Sequence, residues 1–234
     1  SRRSNALLAL CGSHQRIRHL ETPEAQSPPR PDGNDAKSEY PAKAHDDVRR
    51  PMTVPQSAPL LTTERTTLRL PVAEDADFFL ELLNDPDFIR FTGDRGIRDL
   101  KGTRGYVTDK LLPMFETHGF TLYVVEFRQS GLPMGINGLV QRETLDAPDI
   151  GFGFLKRYFG QGIGRETSKA VLKYAHSTLN LPVVYGITRQ DNAPSIRLLE
   201  HLGLKLLRTE PLPGIPEPQL VYCIGPPDSP PPPP

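Results

Sequence analysis

The sequence is poor in cysteine and contains no long apolar run. Its 234 residues include only Cys11 and Cys223, a distant pair that provides neither a disulfide framework nor metal-ligand spacing. We therefore expect a reducing compartment, with the cytoplasm as the first expectation. No apolar run approaches the roughly 20 residues that a membrane-spanning helix needs, so the sequence predicts a soluble protein.

Net charge is also lacking. The 28 basic residues balance the 28 acidic ones, so no overall field draws the chain toward nucleic acid or an anionic membrane, and neither is an expected partner. None of His45, His118, His176 and His201 stands at metal-ligand spacing from another histidine or from a cysteine. We expect no metal, and no Cys/His pair indicates nucleophilic catalysis.

Composition divides the chain into one domain and two tails. Residues 1–59 have scattered prolines and almost no apolar periodicity, which predicts a disordered tail. Its start is rich in arginine with no acid before Glu21, so a mitochondrial transit peptide is the alternative to a plain tail. Residues 226–234, "PPDSPPPPP", predict a disordered proline-rich tail that is a weak ligand for a polyproline-binding partner. Residues 60–225 remain as the domain.

The first half of this domain reads as a strand followed by helices. "TTLRL" alternates and is β-branched, as a strand should be. Apolar residues recur at helical spacing over residues 78–83, in a helix that Pro86 should end. A second amphipathic stretch over residues 97–117 predicts a helix broken by Gly102, Gly105 and Pro113.

The second half predicts an antiparallel meander and then alternating helices and strands. Residues 120–128, 134–142 and 149–155 form the meander. A helix, the strand "PVVYGIT" and a short helix follow, the last with Asn192 as N-cap, Pro194 in its first turn and Gly203 at its end. One or two further strands complete an α+β (mixed α/β) fold, a mixed sheet with helices on both faces.

Glycines alternate in "RYFGQGIGRET", at Gly160, Gly162 and Gly164, and stop where the helix begins. Backbone N–H groups and the helix dipole at such a strand-to-helix turn suit an anion. The dinucleotide fingerprint needs a glycine where Arg165 stands, and the ending of a P-loop is absent. A pyrophosphate is the predicted ligand, and a tight turn whose glycines serve only steric fit is the alternative.

Three stretches resemble the GCN5-related N-acetyltransferases (GNAT), in the branch related to ribosomal-protein acetyltransferases (RimJ/RimL-like). Arg157, Gly160 and Gly162 match the family's acyl-CoA loop [Q/R]-x-x-G-x-[G/A], "LTTERTTLRL" resembles the branch's opening strand, and "DNAPSIRLLEHLGLK" resembles its late helix. The resemblance spans roughly residues 60–224. It implies the GNAT fold, whose mostly antiparallel sheet is splayed at the cofactor site.

The resemblance further implies acetyl-CoA as co-substrate, with its pyrophosphate on the amides of residues 161–165 and its pantetheine arm along the strand before them. Asn192 would approach that arm, or serve only as an N-cap. Gly151 and Gly153 would leave room beside the thioester, or else accommodate a neighbouring helix. The predicted cofactor-binding residues are Phe154, Leu155, Arg157, Gly160, Gln161, Gly162, Ile163, Gly164, Arg165 and Asn192.

Amine acetylation needs a polarised thioester carbonyl, a base for the ammonium and an acid for the departing thiolate. A backbone N–H near Phe154 is the candidate for polarisation. Asp149 or Glu126 is the candidate base and Ser195 or Tyr185 the candidate acid. The carboxylates have a salt-bridged strand position as their alternative, and Ser195 a purely helical role. Glu166 is interpreted as structural, because an acidic residue is favoured at a helix N-terminus.

The sequence as a whole therefore predicts an acetyl-CoA-dependent N-acetyltransferase that acts on a primary amine, either a small molecule or a protein N-terminus. The alternative is a non-catalytic module that keeps the GNAT fold, binds CoA or a protein partner, and recruits others through its proline-rich tails.

Overall fold

The computed structural model describes residues 58–212 and 215–225. The predicted N-terminal tail, except its last two residues, lies outside the described part of the chain. The predicted transit peptide, Cys11 and the proline-rich residues 226–234 lie outside it as well.

Eight strands and six α-helices are formed by the described residues. The strands are β1 (Pro59–Thr62), β2 (Thr66–Arg69), β3 (Leu122–Phe127), β4 (Pro133–Val140), β5 (Asp149–Phe154), β6 (Val184–Arg189), β7 (Lys205–Leu212) and β8 (Ile215–Ile224). The helices are α1 (Ala76–Leu83), α2 (Pro86–Thr92), α3 (Leu100–Tyr106), α4 (Leu112–His118), α5 (Ile163–Ser177) and α6 (Ala193–His201).

The strands form one mixed sheet in the order β1-β2-β3-β4-β5-β6-β8-β7. Every neighbouring pair is antiparallel except β5 and β6, which are parallel. The meander β3-β4-β5 is the one that the alternating sequence predicts. The mixed sheet with helices therefore confirms the predicted α+β class.

Helices cover both faces of the sheet because alternate side chains along its strands are apolar on both faces. Along β3, Tyr123 and Val125 join a buried cluster with α5 and α6, while Leu122 and Val124 join a second one with α1, α2 and the π turn that follows α3. A side-chain period of two puts these sets on opposite faces. The site described below lies between two inner strands, β5 and β6, of a sheet that is covered on both faces.

Sequence analysis missed two elements and predicted one break that the structure does not have. β1 was not predicted at all. The first helix ends at Leu83, before Pro86, as predicted. α2 was missed: Asp85 accepts hydrogen bonds from the amides of Asp87 (2.9 Å) and Phe88 (3.1 Å), and Pro86 becomes the first residue of α2. Residues 100–118 are not broken, since a π turn at Val107–Leu111 joins α3 to α4.

None of the helices in the described residues is long and apolar enough to cross a membrane.

Candidate functional site

Strands β5 and β6 separate soon after they begin. Within the described residues they share a single Cα pairing, Asp149 with Tyr185, and the Tyr185 amide donates to the Pro148 carbonyl (2.9 Å). On the other side of β5, Leu155 donates its N–H to Met134 of β4 (2.9 Å). Since main-chain groups alternate between the two edges of a strand, Phe154 directs its N–H and C=O into the opening between β5 and β6.

The glycine turn (residues 159–164) follows β5 and starts α5. Gly160 and Gly162 adopt the left-handed conformation, with φ of 73° and 75°, which explains glycine at both. Gly164 lies within α5, and a Cβ there would make only ordinary 3.4 Å contacts with Leu198 and Phe154. Two of the predicted glycines therefore serve the turn's conformation, and neither conformation nor packing requires the third.

The first turn of α5 has no side-chain cap. Its N-cap residue is Gly162, which has no side-chain oxygen to accept hydrogen bonds from the amides of Ile163, Gly164 and Arg165. Unsatisfied N–H groups and the positive end of a 15-residue helix dipole together favour an anion at this point. These are the amides on which the sequence predicts a pyrophosphate.

Two arginines form hydrogen bonds with Gln161 of the glycine turn. Arg157, predicted from the acyl-CoA motif, pairs with Glu81 of α1 and lies with its guanidinium 5.2 Å from the centre of the Tyr158 ring. Its carbonyl accepts a hydrogen bond from the side chain of Gln161 (3.1 Å). Arg65, in the loop between β1 and β2, donates from Nη1 to the Gln161 carbonyl (3.0 Å). Sequence analysis missed Arg65, because no local pattern signals a contact across 96 positions.

The two glycines of β5 accommodate packing. A Cβ on Gly153 would overlap the ring of Phe88 in α2, and one on Gly151 would stand 3.0 Å from Leu122. For Gly153 this supports the alternative of a neighbouring helix. The opening between β5 and β6 is then the space in which the predicted thioester would lie.

Asp149 and Tyr185 meet at the base of the opening. Asp149 is 2 % exposed and accepts two hydrogen bonds from Arg142, at 2.7 and 3.2 Å. Burial raises the pKa of Asp149 more than Arg142 lowers it. The Tyr185 hydroxyl donates to Asp146 (2.9 Å), and burial, followed by Asp146, raises the pKa of Tyr185. Both residues are engaged in hydrogen bonds, and their roles as base and acid stay predictions.

The structure does not bring Glu126 to this opening. Glu126 lies near the end of β3, separated from β5 by β4, and accepts a hydrogen bond from buried Arg69 (2.6 Å). Burial raises the pKa of Glu126 more than Arg69 lowers it. Its salt-bridged alternative is therefore the arrangement found.

Asn192 and Ser195 lie together at the start of α6, just beyond the far end of β6. Asn192 accepts a hydrogen bond from the Ser195 amide (3.2 Å), which confirms the predicted N-cap. Ser195 is 8 % exposed. Because β5 and β6 are parallel, this end of β6 lies on the same edge of the sheet as Phe154 and the glycine turn.

No group of three or more potential ligands that could hold a metal ion occurs among the residues that the structure describes.

Comparison with known proteins agrees with this arrangement. The family model described as "Acetyltransferase (GNAT) domain" matches residues 65–205. The uncharacterized N-acetyltransferase p20 of Bacillus licheniformis is 26% identical over 147 residues, which cover 62% of this chain and 82% of that protein.

Two solved structures show the same fold. An acetyltransferase from Agrobacterium tumefaciens is 26% identical with a TM-score of 0.62, and the match covers 72% of this chain and 95% of that one. RimL, described as a ribosomal L7/L12 alpha-N-protein acetyltransferase in complex with coenzyme A, is 16% identical with a TM-score of 0.61, covering 71% and 97%. The chain belongs to the GNAT family of acetyltransferases and is an N-acetyltransferase.

Proposed function

We propose that this enzyme transfers the acetyl group of acetyl-CoA to a primary amine. The observation that carries the proposal is the continuity between the glycine turn, with its uncapped amides, and the opening between β5 and β6. An anionic ligand with a long, strand-like arm suits both parts at once. The CoA complex of RimL, which has the same fold, supports the choice of ligand.

The residues that would hold acetyl-CoA divide by chemistry. Amides of residues 161–165 are donors for the pyrophosphate. The main chain of Phe154 is available to pair with the pantetheine arm, and its N–H is a donor for the thioester oxygen, where negative charge develops. The side-chain amide of Asn192 is a further donor at the same edge. Bound acetyl-CoA supplies the activated acetyl group.

Proton transfer needs a group at each side of the reacting carbon. Burial raises the pKa of Asp149, which makes its ionised form a stronger proton acceptor and favours it as the base. Ser195 is the proposed acid, since it stands at the same edge as Phe154. Tyr185 is the alternative acid, and Glu126 is not retained as a base because it lies away from the opening and pairs with Arg69. The acceptor amine is either a small molecule or a protein N-terminus, as for the alpha-N-acetyltransferase RimL.

Calorimetric titration tests the cofactor first. We expect acetyl-CoA to bind with micromolar affinity, on the order of −8 kcal/mol, and the controls ATP and NAD to bind more weakly. Gly162→Asp places a carboxylate where an anion should lie and should abolish binding. Gly162→Asn is the matched control, since asparagine tolerates the left-handed conformation and carries no charge. Equal affinity of the two variants would contradict the pyrophosphate site.

Release of free thiol from acetyl-CoA then tests the reaction. The acceptors are spermidine, a peptide with a free N-terminus, and the same peptide with an acetylated N-terminus. We expect turnover with one of the free amines and none with the blocked peptide. Binding of acetyl-CoA without thiol release from a broad set of amines would instead favour the non-catalytic module.

A further inference from the structure

The loop between β1 and β2 is fastened to the start of α5. We call residues 63–65 the β1–β2 turn. Oε1 of Glu166 accepts hydrogen bonds from the Thr63 hydroxyl (2.5 Å) and the Arg65 amide (2.9 Å), while its Oε2 accepts one from Arg65 Nε (2.6 Å). Three donors from one turn thus converge on a single carboxylate in α5.

This carboxylate holds Arg65 in one orientation. The Glu166 side chain is 18% exposed and that of Arg65 is 44% exposed. Burial alone would raise the pKa of Glu166, but the hydrogen bonds from Thr63 and Arg65 outweigh it and lower the pKa. Glu166 therefore stays ionised at neutral pH, and the Nε contact fixes the plane of the Arg65 guanidinium.

The oriented guanidinium fixes a peptide of the glycine turn. Arg65 Nη1 donates to the Gln161 carbonyl (3.0 Å). In a trans peptide the C=O and the following N–H point in opposite directions, so this bond directs the Gly162 N–H away from Arg65. The peptide joins Gln161 to Gly162, and Gly162 has no side chain that would limit its rotation. An external contact is therefore what selects one orientation.

The third nitrogen of the guanidinium stays next to the turn. Arg65 Nη2 would lie 3.6 Å from a Cβ on Gly162, and it donates no hydrogen bond to any residue that the structure describes. The guanidinium, whose single delocalised charge is paired with Glu166, thus keeps N–H donors next to the glycine turn.

We propose that Arg65 is a positioning residue for the acetyl-CoA pyrophosphate. It presets the Gln161–Gly162 peptide so that the amides of the glycine turn point toward the ligand before it binds. The inference rests on the proposed function, because it assumes that the glycine turn holds the pyrophosphate. It also gives Glu166, interpreted from the sequence as structural, a second role, which is to orient Arg65.

The test compares two thioesters. Acetyl-CoA carries the pyrophosphate, and S-acetylpantetheine has the same arm and acetyl group without it. We expect Arg65→Gln to weaken acetyl-CoA binding by about tenfold or more, measured by calorimetry. Binding of S-acetylpantetheine, measured by ligand-observed NMR, should stay unchanged. The control Arg104→Gln removes an exposed arginine of α3 that forms no ion pair with the described residues, and it should alter neither affinity.

Two further variants separate orientation from charge. Arg65→Lys keeps the positive charge but cannot contact Glu166 and Gln161 together through a planar fork, so it should recover little of the lost affinity. Glu166→Gln should weaken acetyl-CoA binding through Arg65, so adding it to Arg65→Gln should cost little more. Thermal unfolding of each variant establishes that it is folded.

Each failure has its own meaning. If the wild-type protein does not bind acetyl-CoA, the proposed function and this inference fall together. If it binds and Arg65→Gln binds equally well, only the inference falls. Equal weakening for both thioesters would make Arg65 a merely structural residue, and full recovery with Arg65→Lys would replace positioning by simple charge. Either result overturns the proposal.

Discussion

Arg69 is shared by two carboxylates in the interior. It is 1 % exposed, donates to both oxygens of Asp75 (2.7 Å each) and donates from Nε to Glu126 (2.6 Å). One guanidinium faces two carboxyl groups. When both carboxyl groups are ionised, the three side chains together have a net negative charge, and holding that charge away from water costs free energy. Burial first, and the negative charge of Asp75 to a smaller extent, therefore raise the pKa of Glu126 despite the salt bridge with Arg69.

The raised pKa predicts how stability changes with pH. Because the folded pKa of Glu126 lies above its unfolded value, the stabilisation is fully present below the unfolded value and is lost as pH rises through the folded one. Glu126→Gln removes that titration and keeps an oxygen for Arg69 Nε. We therefore expect wild-type stability to fall relative to Glu126→Gln as the pH rises above about 4, the ordinary pKa of a glutamate, measured by urea unfolding.

Asp75→Asn is the matched variant. Its amide would face an Arg69 donor, because both Asp75 oxygens accept from that guanidinium. A buried donor without an acceptor costs about 1–3 kcal/mol, whereas Glu126→Gln at pH 7 should lie within about 1 kcal/mol of wild type or above it. A difference between wild type and Glu126→Gln that does not vary with pH would contradict the predicted titration.

At the scale of elements, local patterns and caps were sufficient for most of the fold. The meander, α5 and α6 were predicted because alternation, helical spacing and the Asn192 cap are local signals. α2 was missed because a proline after Asp85 resembles a helix end as much as a helix start. β1 was missed because its four residues are mostly exposed and carry little pattern.

Contacts between distant elements lay beyond sequence reasoning. The glycine turn could be predicted from three alternating glycines, but its contact with Arg65 could not, since the two are far apart in the chain. The predicted break in the α3–α4 run became a π turn, in which Leu112 donates to the Val107 carbonyl five residues back. This wider turn lets the run continue through Pro113, which has no N–H to donate, into α4.

Packing of α2 on β5 gives a prediction at the same scale. The Phe88 ring occupies the space of the missing Cβ of Gly153. Gly153→Ala should therefore destabilise the protein by about 1–3 kcal/mol, because ring or helix must move. The control Gly105→Ala should be neutral or stabilising by up to about 1 kcal/mol, since its Cβ would lie in α3 with only an ordinary 3.4 Å contact to Asp109.

Phe88→Leu tests whether this overlap is the cause. It removes ring atoms from the crowded space, so Gly153→Ala should cost less in its presence, by about 0.5 kcal/mol or more, as for residues in direct contact. Urea unfolding of the two single variants and the double variant measures the coupling. Strictly additive effects would mean that Gly153 serves the strand itself and not the packing of α2.

Across the whole described domain, the sheet consists of two antiparallel parts. β1 to β5 form one part and β6, β8 and β7 the other, and a single parallel pairing at Asp149 and Tyr185 joins them. The helix α5 packs on β1, β2, β4 and β5 and also contacts α6, which packs on β6. Helix packing therefore links the two parts, and the strands can separate at one edge without dividing the core.

This arrangement predicts where acetyl-CoA should slow amide hydrogen exchange. We expect protection at Phe154, at residues 161–165 and, through Arg65, at residues 63–65, because all three segments meet the proposed ligand or hold its site. Binding also raises the free energy of global unfolding by RT ln(1 + [ligand]/Kd), which slows exchange at every amide that is exposed only by global unfolding. The comparison must therefore use rapidly exchanging amides, which exchange through local opening.

Helix α3 provides the internal reference, because it packs on α1 away from the opening. Mass spectrometry at short labelling times should show slower exchange in the three segments and no change in Leu100–Tyr106. Protection confined to residues 161–165 would separate the β1–β2 turn from cofactor binding, and equal protection in α3 would mean that the ligand acts on the fold as a whole.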